Sequence, residues 1–296
     1  MRTPFISLAL LLLFCSLPVM ADISITTALP PPPPTTETFE QLAADMKSAD
    51  YAAREAAAYQ LSVMDDSRVP PLLLAALDDS SSKVLWLAIY GLGRTGYKPA
   101  TTKLLGLLSN SESDVRSIAC IALGQIGDKQ STQALLGMLD DESVTVRADA
   151  ARALGLMGDP NAAADMTRAM DKNEPLVRVN LAQALGDIGS PTCLPGLLKA
   201  LKDPIAEVRR KAALGLGLVG NDSVAPNLIR AFDDRDEDVR INAVASIIKI
   251  GTDRTVSELA KAVHDPTENI HDLAVLALEK INSPAAQKVL QGVRFR

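Results

Sequence analysis

Histidine and cysteine, from which most metal centres and nucleophilic sites are built, are nearly missing: 296 residues hold two His and three Cys. His264 and His271 fall close together near the C-terminus, each followed by Asp. That leaves no dispersed imidazole set for a metal or a general base. No Ser-His-Asp set, Gly-rich phosphate loop or zinc spacing occurs, so the sequence predicts no catalytic residue, no metal and no cofactor. Aromatics make up only 3% of the chain. The apolar volume comes instead from Ala, Leu, Val and Ile, a mix suited to close helix packing and poor for a β-sandwich. Positive charge is also short. The net charge is −6 with no basic stripe, which excludes a nucleic-acid partner, because phosphate neutralisation needs clustered Lys and Arg.

The N-terminus carries an apolar run, Phe5 to Leu17, that is shorter than the ~20 residues of a membrane span. Arg2 precedes it, and Val19-Met20-Ala21 offers small residues at the two positions a signal peptidase reads. Residues 1–21 are therefore expected to be a cleaved signal peptide, placing the chain in the periplasm or outside the cell with no span in the mature form. Phe14 is too bulky to precede a lipidated Cys15. Residues 22–37 form a Pro-rich leader. Its Pro30–Pro34 run favours a polyproline II segment of about 15 Å, either a spacer or a ligand for a proline-recognising domain.

From Thr38 onward the chain repeats every 31 residues without an insertion. Val84, Val115, Val146, Val177, Val208, Val239 and Ile270 share one column, and Leu92, Leu123, Leu154, Leu185, Leu216, Ile247 and Leu278 another. A period of this length marks stacked supersecondary units. Within a unit, Val115, Ala119, Ala122, Leu123 and Ile126 lie on one face of a helix. Leu135, Met138 and Leu139 start the next. Gly96, Gly127, Gly158, Gly189, Gly220 and Gly251 stand just past the longer helix, where a left-handed residue ends it. The first and last units place Asp65 and Asn282 there, both tolerant of that conformation. The expected fold is all-α: an α–α superhelix of eight two-helix units, a short helix A and a longer helix B in each, plus a terminal helix from about Ser283, spanning residues 38–296.

The run Val115 to Asp128, Val-Arg-x-x-Ala-x-x-Ala-Leu-Gly-x-Ile-Gly-Asp, resembles the HEAT-like repeat of the phycobilin-lyase type. The resemblance covers every unit and implies the architecture rather than a chemistry. HEAT arrays imply a concave surface lined by the B helices, and hence a scaffold or adaptor that binds a protein or peptide. The enzymatic alternatives carried by the same family, chromophore lyase and deoxyhypusine hydroxylase, are disfavoured. The hydroxylase needs several His-Glu pairs, and here both histidines precede Asp.

Four further features have structural readings. Arg54, Arg116, Arg147, Arg178, Arg209 and Arg240 form a column, broken by Leu85 and His271, with an acidic column six or seven residues earlier. A planar guanidinium there can bridge a carboxylate and turn carbonyls of adjacent units, while the Asp residues cap the B helices. The acidic run Asp233–Asp238 lacks the spaced Glu and central Gly of a calcium loop. Cys120 and Cys193 stand more than two units apart, about 20 Å at normal helix spacing, too far for a disulfide's ~7 Å, and are expected to be free and buried. Last, all four Tyr and the only Trp lie between residues 51 and 97. Tyr59, Trp86, Tyr90 and Arg94 are accordingly the candidate partner-binding residues, with an end cap on the stack as the competing reading.

Overall fold

The computed structural model describes residues 37–294. The expected signal segment, and all of the leader except Glu37, lie outside the described residues. Within them the chain forms seventeen α-helices joined by short turns, and no strand. The A helices are α1 (Phe39–Asp45), α3 (Val69–Ala75), α5 (Thr101–Leu107), α7 (Thr132–Gly137), α9 (Ala163–Ala169), α11 (Leu194–Ala200), α13 (Ala225–Arg230) and α15 (Asp253–Ala262). They alternate with the B helices α2 (Tyr51–Val63), α4 (Ser82–Arg94), α6 (Ser113–Ile126), α8 (Val144–Met157), α10 (Pro175–Ile188), α12 (Ala206–Val219), α14 (Glu237–Ile250) and α16 (Glu268–Ile281). A final A-type helix, α17 (Pro284–Arg294), closes the array. Eight A–B pairs and a terminal helix match the period read from the sequence.

A helix pair of this size cannot bury its own apolar face, so one core runs unbroken from Leu42 to Ala286 through every unit. The valine and leucine columns are its floor: Val84, Val146, Val177, Val208 and Val239 are fully buried, as are Leu92, Leu123, Leu154, Leu185 and Leu216. Seven of the eight post-helix positions behave alike. Gly96, Gly127, Gly158, Gly189, Gly220 and Gly251 all have φ between 53° and 70°, and Asn282 has φ 49°. In α6, for example, the Gly127 amide donates to Leu123 O, satisfying a carbonyl the helix leaves open.

Asp65 departs from this pattern. Helix α2 stops at Val63, Met64 is extended (φ −69°, ψ 139°), and Asp65 is not left-handed. The carbonyls exposed by that ending are taken from the next unit instead: Arg94 Nε donates to Ser62 O (2.9 Å) and Nη2 to Met64 O (2.7 Å).

A second glycine, inside each of the five B helices from α4 to α12, sets the spacing of the stack there. A Cβ built on Gly124 would stand 2.6 Å from Ala153 Cα, on Gly155 2.9 Å from Ala184 Cα, and on Gly186 2.8 Å from Gly215 Cα. Gly93 against Ala122 and Gly217 against Ser246 extend the same series. Successive B helices therefore meet backbone to backbone, the most extensive contacts between elements in the fold. The layer with the closest spacing is the inner side of a curved stack, so the B helices line the concave face.

Candidate functional site

Two lateral networks hold the units in register, and the arginine column is the larger. Arg116 Nε and Nη2 grip both oxygens of Asp141 at 2.8 and 2.9 Å, while Nη1 donates to Asn110 O and Ser111 O. Arg54 with Asp79, Arg178 with Asp203 and Arg209 with Asp234 repeat the bidentate fork 25 residues apart. Each guanidinium thus ties the turn of its own unit to the turn of the next. The Arg54 and Arg116 hydrogen bonds hold the Asp79 and Asp141 carboxyls below the usual carboxylate range.

The breaks in the column are paired. Leu85 is buried apolar core, and the acid it would have met is Asn110. Arg147 meets Lys172 at the acid position and turns to Glu174 Oε1 at 2.5 Å. Arg240 reaches Asp234 O (2.7 Å), and His271 Nδ1 lies 2.6 Å from Val263 O. The acids do not cap the B helices as the sequence suggested. They sit two residues ahead of the cap, where Asp79, Asp141, Asp203 and Asp234 each accept a backbone N–H two residues on, and Asn110 does the same. At the opposite end of the helices, Thr132 Oγ1 donates to Asp159 Oδ2 at 3.0 Å, a smaller rung between neighbouring A-helix starts.

These networks absorb the other motifs. Asp234 serves Arg209, Asp236 caps α14 through Val239 N, and Asp238 pairs with Arg210, so three of the run's five acids have protein partners. Among the described residues no group of three or more His, Cys, Asp or Glu side chains is gathered to hold a metal ion. Cys120 and Cys193 are free and fully buried. Burial pushes the Cys120 thiol up to about 12 and raises Cys193 as well, so both are protonated, inert core residues at neutral pH.

The side chains without a structural assignment lie on the inner wall. Four positions of each B helix turn away from the A layer, spaced as Leu176, Val179, Gln183 and Asp187 are on α10. Toward the N-terminal end this wall is aromatic. Trp86 stacks on Tyr90 with centroids 5.7 Å apart and planes 4° from parallel, and Tyr59 stands one repeat earlier in the Tyr90 position. Trp86 and Tyr59 are half-buried, whereas Tyr90 keeps only 7% of its surface exposed. Tyr90 therefore packs into the wall and supports Trp86, which leaves Trp86 as the more accessible of the stacked pair. Arg94 is engaged with the carbonyls of α2, so its guanidinium acts within the stack.

The central part of the wall is polar, and its hydrogen bonds and ion pairs run both along and between helices. Ser117 on α6 donates to Asp149 on α8, which also pairs with Arg152 at 3.1 Å. Burial raises the Asp149 carboxyl above its ordinary range, against the opposing pull of Ser117 and Arg152. Asp187 accepts from Gln183 Nε2 (2.8 Å) and is raised for the same reason, the concave wall thinning its water shell while leaving it open to solvent. Arg210 joins Glu207 to Asp238 on the next helix. Between these charges stand exposed leucines, Leu156 at 39% and Leu176 at 53%. Sequence reasoning singled out neither. The signal was present, since both occupy wall positions where other units carry charged or polar residues, such as Asp187 and Glu207. The wall thus carries stacked rings, exposed leucines and anchored charges along its length.

A family model described as HEAT repeats matches residues 37–117, 101–178, 167–247 and 225–294. No curated protein matches the chain. Among solved structures, an engineered protein is 18% identical with a TM-score of 0.51, the match covering 86% of this chain and 81% of that one. YibA of Escherichia coli is 23% identical with a TM-score of 0.50 over 84% of this chain and 91% of its own. The complex of CpcE and CpcF of phycocyanin lyase from Nostoc sp. is 21% identical over 90% and 97%, with a TM-score of 0.41. At these identities the first two likenesses show the fold and nothing more.

Proposed function

The chain belongs to the HEAT-repeat family, and from that premise we propose that it is an exported scaffold or adaptor that binds a protein or peptide along its concave wall. The observation that carries this reading is the exposure of large apolar side chains on B helices whose remaining wall positions are charged. Leu156 and Leu176 stand in water beside Arg152, Asp187 and Gln183, a mixture typical of interface cores and rims. An enzyme on the same fold needs converging groups of matched protonation. The two carboxyls raised by burial, Asp149 and Asp187, lie on different helices and are each held by their own neighbours. Export rests on the sequence of residues 1–21 alone.

The test places a photo-crosslinking residue at Leu176 on the inner wall or at Gln133 on the exposed face of α7, with the protein in its own cellular fraction. A discrete adduct from the Leu176 position, missing from the Gln133 position, supports the concave surface. Adducts of equal yield from both, or from neither, reject it. Intact mass of the exported protein checks the processing: a mature chain starting at Asp22 is expected, and a retained N-terminus or a lipid on Cys15 contradicts it.

A further inference from the structure

Two braces tie each unit to the next. One is the small residue that lets neighbouring B helices meet backbone to backbone: Gly93 to Gly217 from α4 to α12, and on α2 Ser62, whose Cα stands 3.0 Å from a Cβ built on Gly91. The other is the guanidinium that grips the following turn. Every junction up to α12 with α14 keeps at least one of them. Ser62 and the Arg54–Asp79 fork join α2 to α4. Leu85 removes the fork between α4 and α6, but Gly93 remains against Ala122. Between α8 and α10 Gly155 is kept and Arg147 takes Glu174 instead.

The junction of α14 with α16 keeps neither. Ile248 stands in the glycine position, and by the period it faces Ala277, the residue type that meets glycine in the central pairs. Arg240 and Asp265 hold the two ladder positions, yet among the described residues no ion pair joins them. Arg240 Nη1 turns back to Asp234 O of its own unit (2.7 Å), and Asp265 accepts the Thr267 N–H (2.9 Å). The contact of α14 with α16 is accordingly the least extensive of any between successive B helices. What fills the junction is apolar. Where other units have Leu77, Leu108, Leu139 and Leu201, this one has Phe232, the largest fully buried side chain, in a turn that packs on both α14 and α16.

We propose that the array has a joint here: the last unit with its terminal helix, α15 to α17, turns as a body against the first seven units. A bidentate fork and a backbone contact each fix a direction, whereas apolar contact is non-directional, so Phe232 and Ile248 can hold the junction closed and still let it slide. The pivot lies at the start of α15. There Thr252 Oγ1 donates to Asp222 Oδ2 (3.2 Å), and Arg254 lies 3.8 Å from the same carboxylate, tying the two A-helix starts. The missing fork is at the opposite edge, where α14 and α16 begin, so the swing is largest there and changes the width of the wall between Asp238 and Asn269. The joint goes beyond the scaffold reading and holds whatever the wall binds.

Double electron–electron resonance on the full chain tests it, with nitroxides on cysteines introduced at exposed positions and Cys15→Ser to remove one native site. Cys120 and Cys193 are buried and do not take the label. Thr145→Cys with Asp238→Cys and Leu176→Cys with Asn269→Cys use the same positions of the repeat and each span three junctions, roughly 24–30 Å at normal layer spacing. Only the second pair crosses the joint. Its distance distribution should be about twice as wide as that of the first, as hinge motion of a packed unit requires. A third pair inside the last unit, Asn269→Cys with Lys288→Cys, should be narrow. Equal widths for the two long pairs overturn the proposal. So does a broad third pair, which would mean that the last unit unfolds rather than turns. Ile248→Gly with Phe232→Leu restores the residues of the braced units, and at unchanged helix content by circular dichroism it should narrow the Leu176–Asn269 distribution. A distribution left as wide as before would refute the assignment of the joint to these two side chains. Crosslinking at Leu176 reads partner capture and not this motion, so the two readings fail separately.

Discussion

The central units and the first two are built from one repeat, yet they solve the same problems differently. From α6 to α12 the B helices touch through Gly124, Gly155 and Gly186, each helix ends on a left-handed glycine, and Arg116, Arg178 and Arg209 fork onto the next turn. In the first two units Arg54 still forks onto Asp79 but the next arginine position holds Leu85, no glycine ends α2, Arg94 closes that helix from outside, and aromatic rings occupy the wall. Where the backbone contact is closest, the repeat tolerates almost no variation. Where a substitute contact exists, the position is released for other use. Bulky and functional residues can enter the array only where the repeat's own bracing has been replaced.

The largest expected effect breaks the central rule. Gly186→Ala drives a methyl toward Gly215 Cα, where only backbone can move, and should cost about 3 kcal/mol as overpacking. Gly106→Ala is its control, a helical glycine with nothing within 4 Å, and should stabilise by up to ~1 kcal/mol. Urea midpoints that rank the two alike would remove the close-contact explanation of the stack. Next comes the turn: Gly158 has φ 65° and open space around a built Cβ, so its cost is conformational only. Gly158→Val should lose on the order of 1–2 kcal/mol and Gly158→Asn less. Midpoints for both that equal wild type would contradict the assignment.

Arg94→Ala sharpens the comparison from the other side. It should lower stability by about 1 kcal/mol, since two carbonyls at the end of α2 lose their donors, and amide exchange should speed up at the end of α2 while α8 is unchanged. Uniform exchange along the chain would mean the cap is dispensable. The smallest effect is a pH dependence on the wall. The folded protein holds the Asp149 proton more tightly than the unfolded chain does, so this group favours folding below about pH 4 and opposes it as pH climbs through the raised value. Asp149→Asn should therefore raise the melting temperature slightly at pH 7 and leave it unchanged at pH 3. The depressed Asp79 and Asp141 carboxyls act in the opposite sense: their stabilisation is present above about pH 4 and is lost as pH falls below it.

The architecture was legible because its signals repeat: a 31-residue step brings the same valine, the same leucine and the same glycine back to the same place. The turn glycines were readable individually, since a helix end has few solutions. The second glycine series, Gly93 to Gly217, had the same period and carried no such meaning, because a glycine inside a helix signals close packing only once the facing helix is known. Asp65 misled for a related reason: its residue type suits the left-handed position, but the donor that makes the position unnecessary comes from Arg94 in the next unit. Of the aromatic residues singled out in the sequence, Trp86 and Tyr90 stack on one another. The pair's internal division, with Tyr90 as support and Trp86 as surface, depends on which ring lies beneath the other, and no spacing encodes that.

The central claim, that the inner wall is a binding surface, is tested most directly on Trp86 alone, since removing the buried Tyr90 would mix folding with recognition. The measurement is a paired one on Trp86→Ala: its thermal melt, and its affinity for the partner recovered by crosslinking at Leu176. The account predicts a melt close to wild type and a loss of about 2 kcal/mol in binding, roughly thirtyfold, the usual scale of an interface hot spot. A clear drop in melting temperature with undiminished affinity would contradict it, and would leave the stacked rings as a cap on the first units of the array.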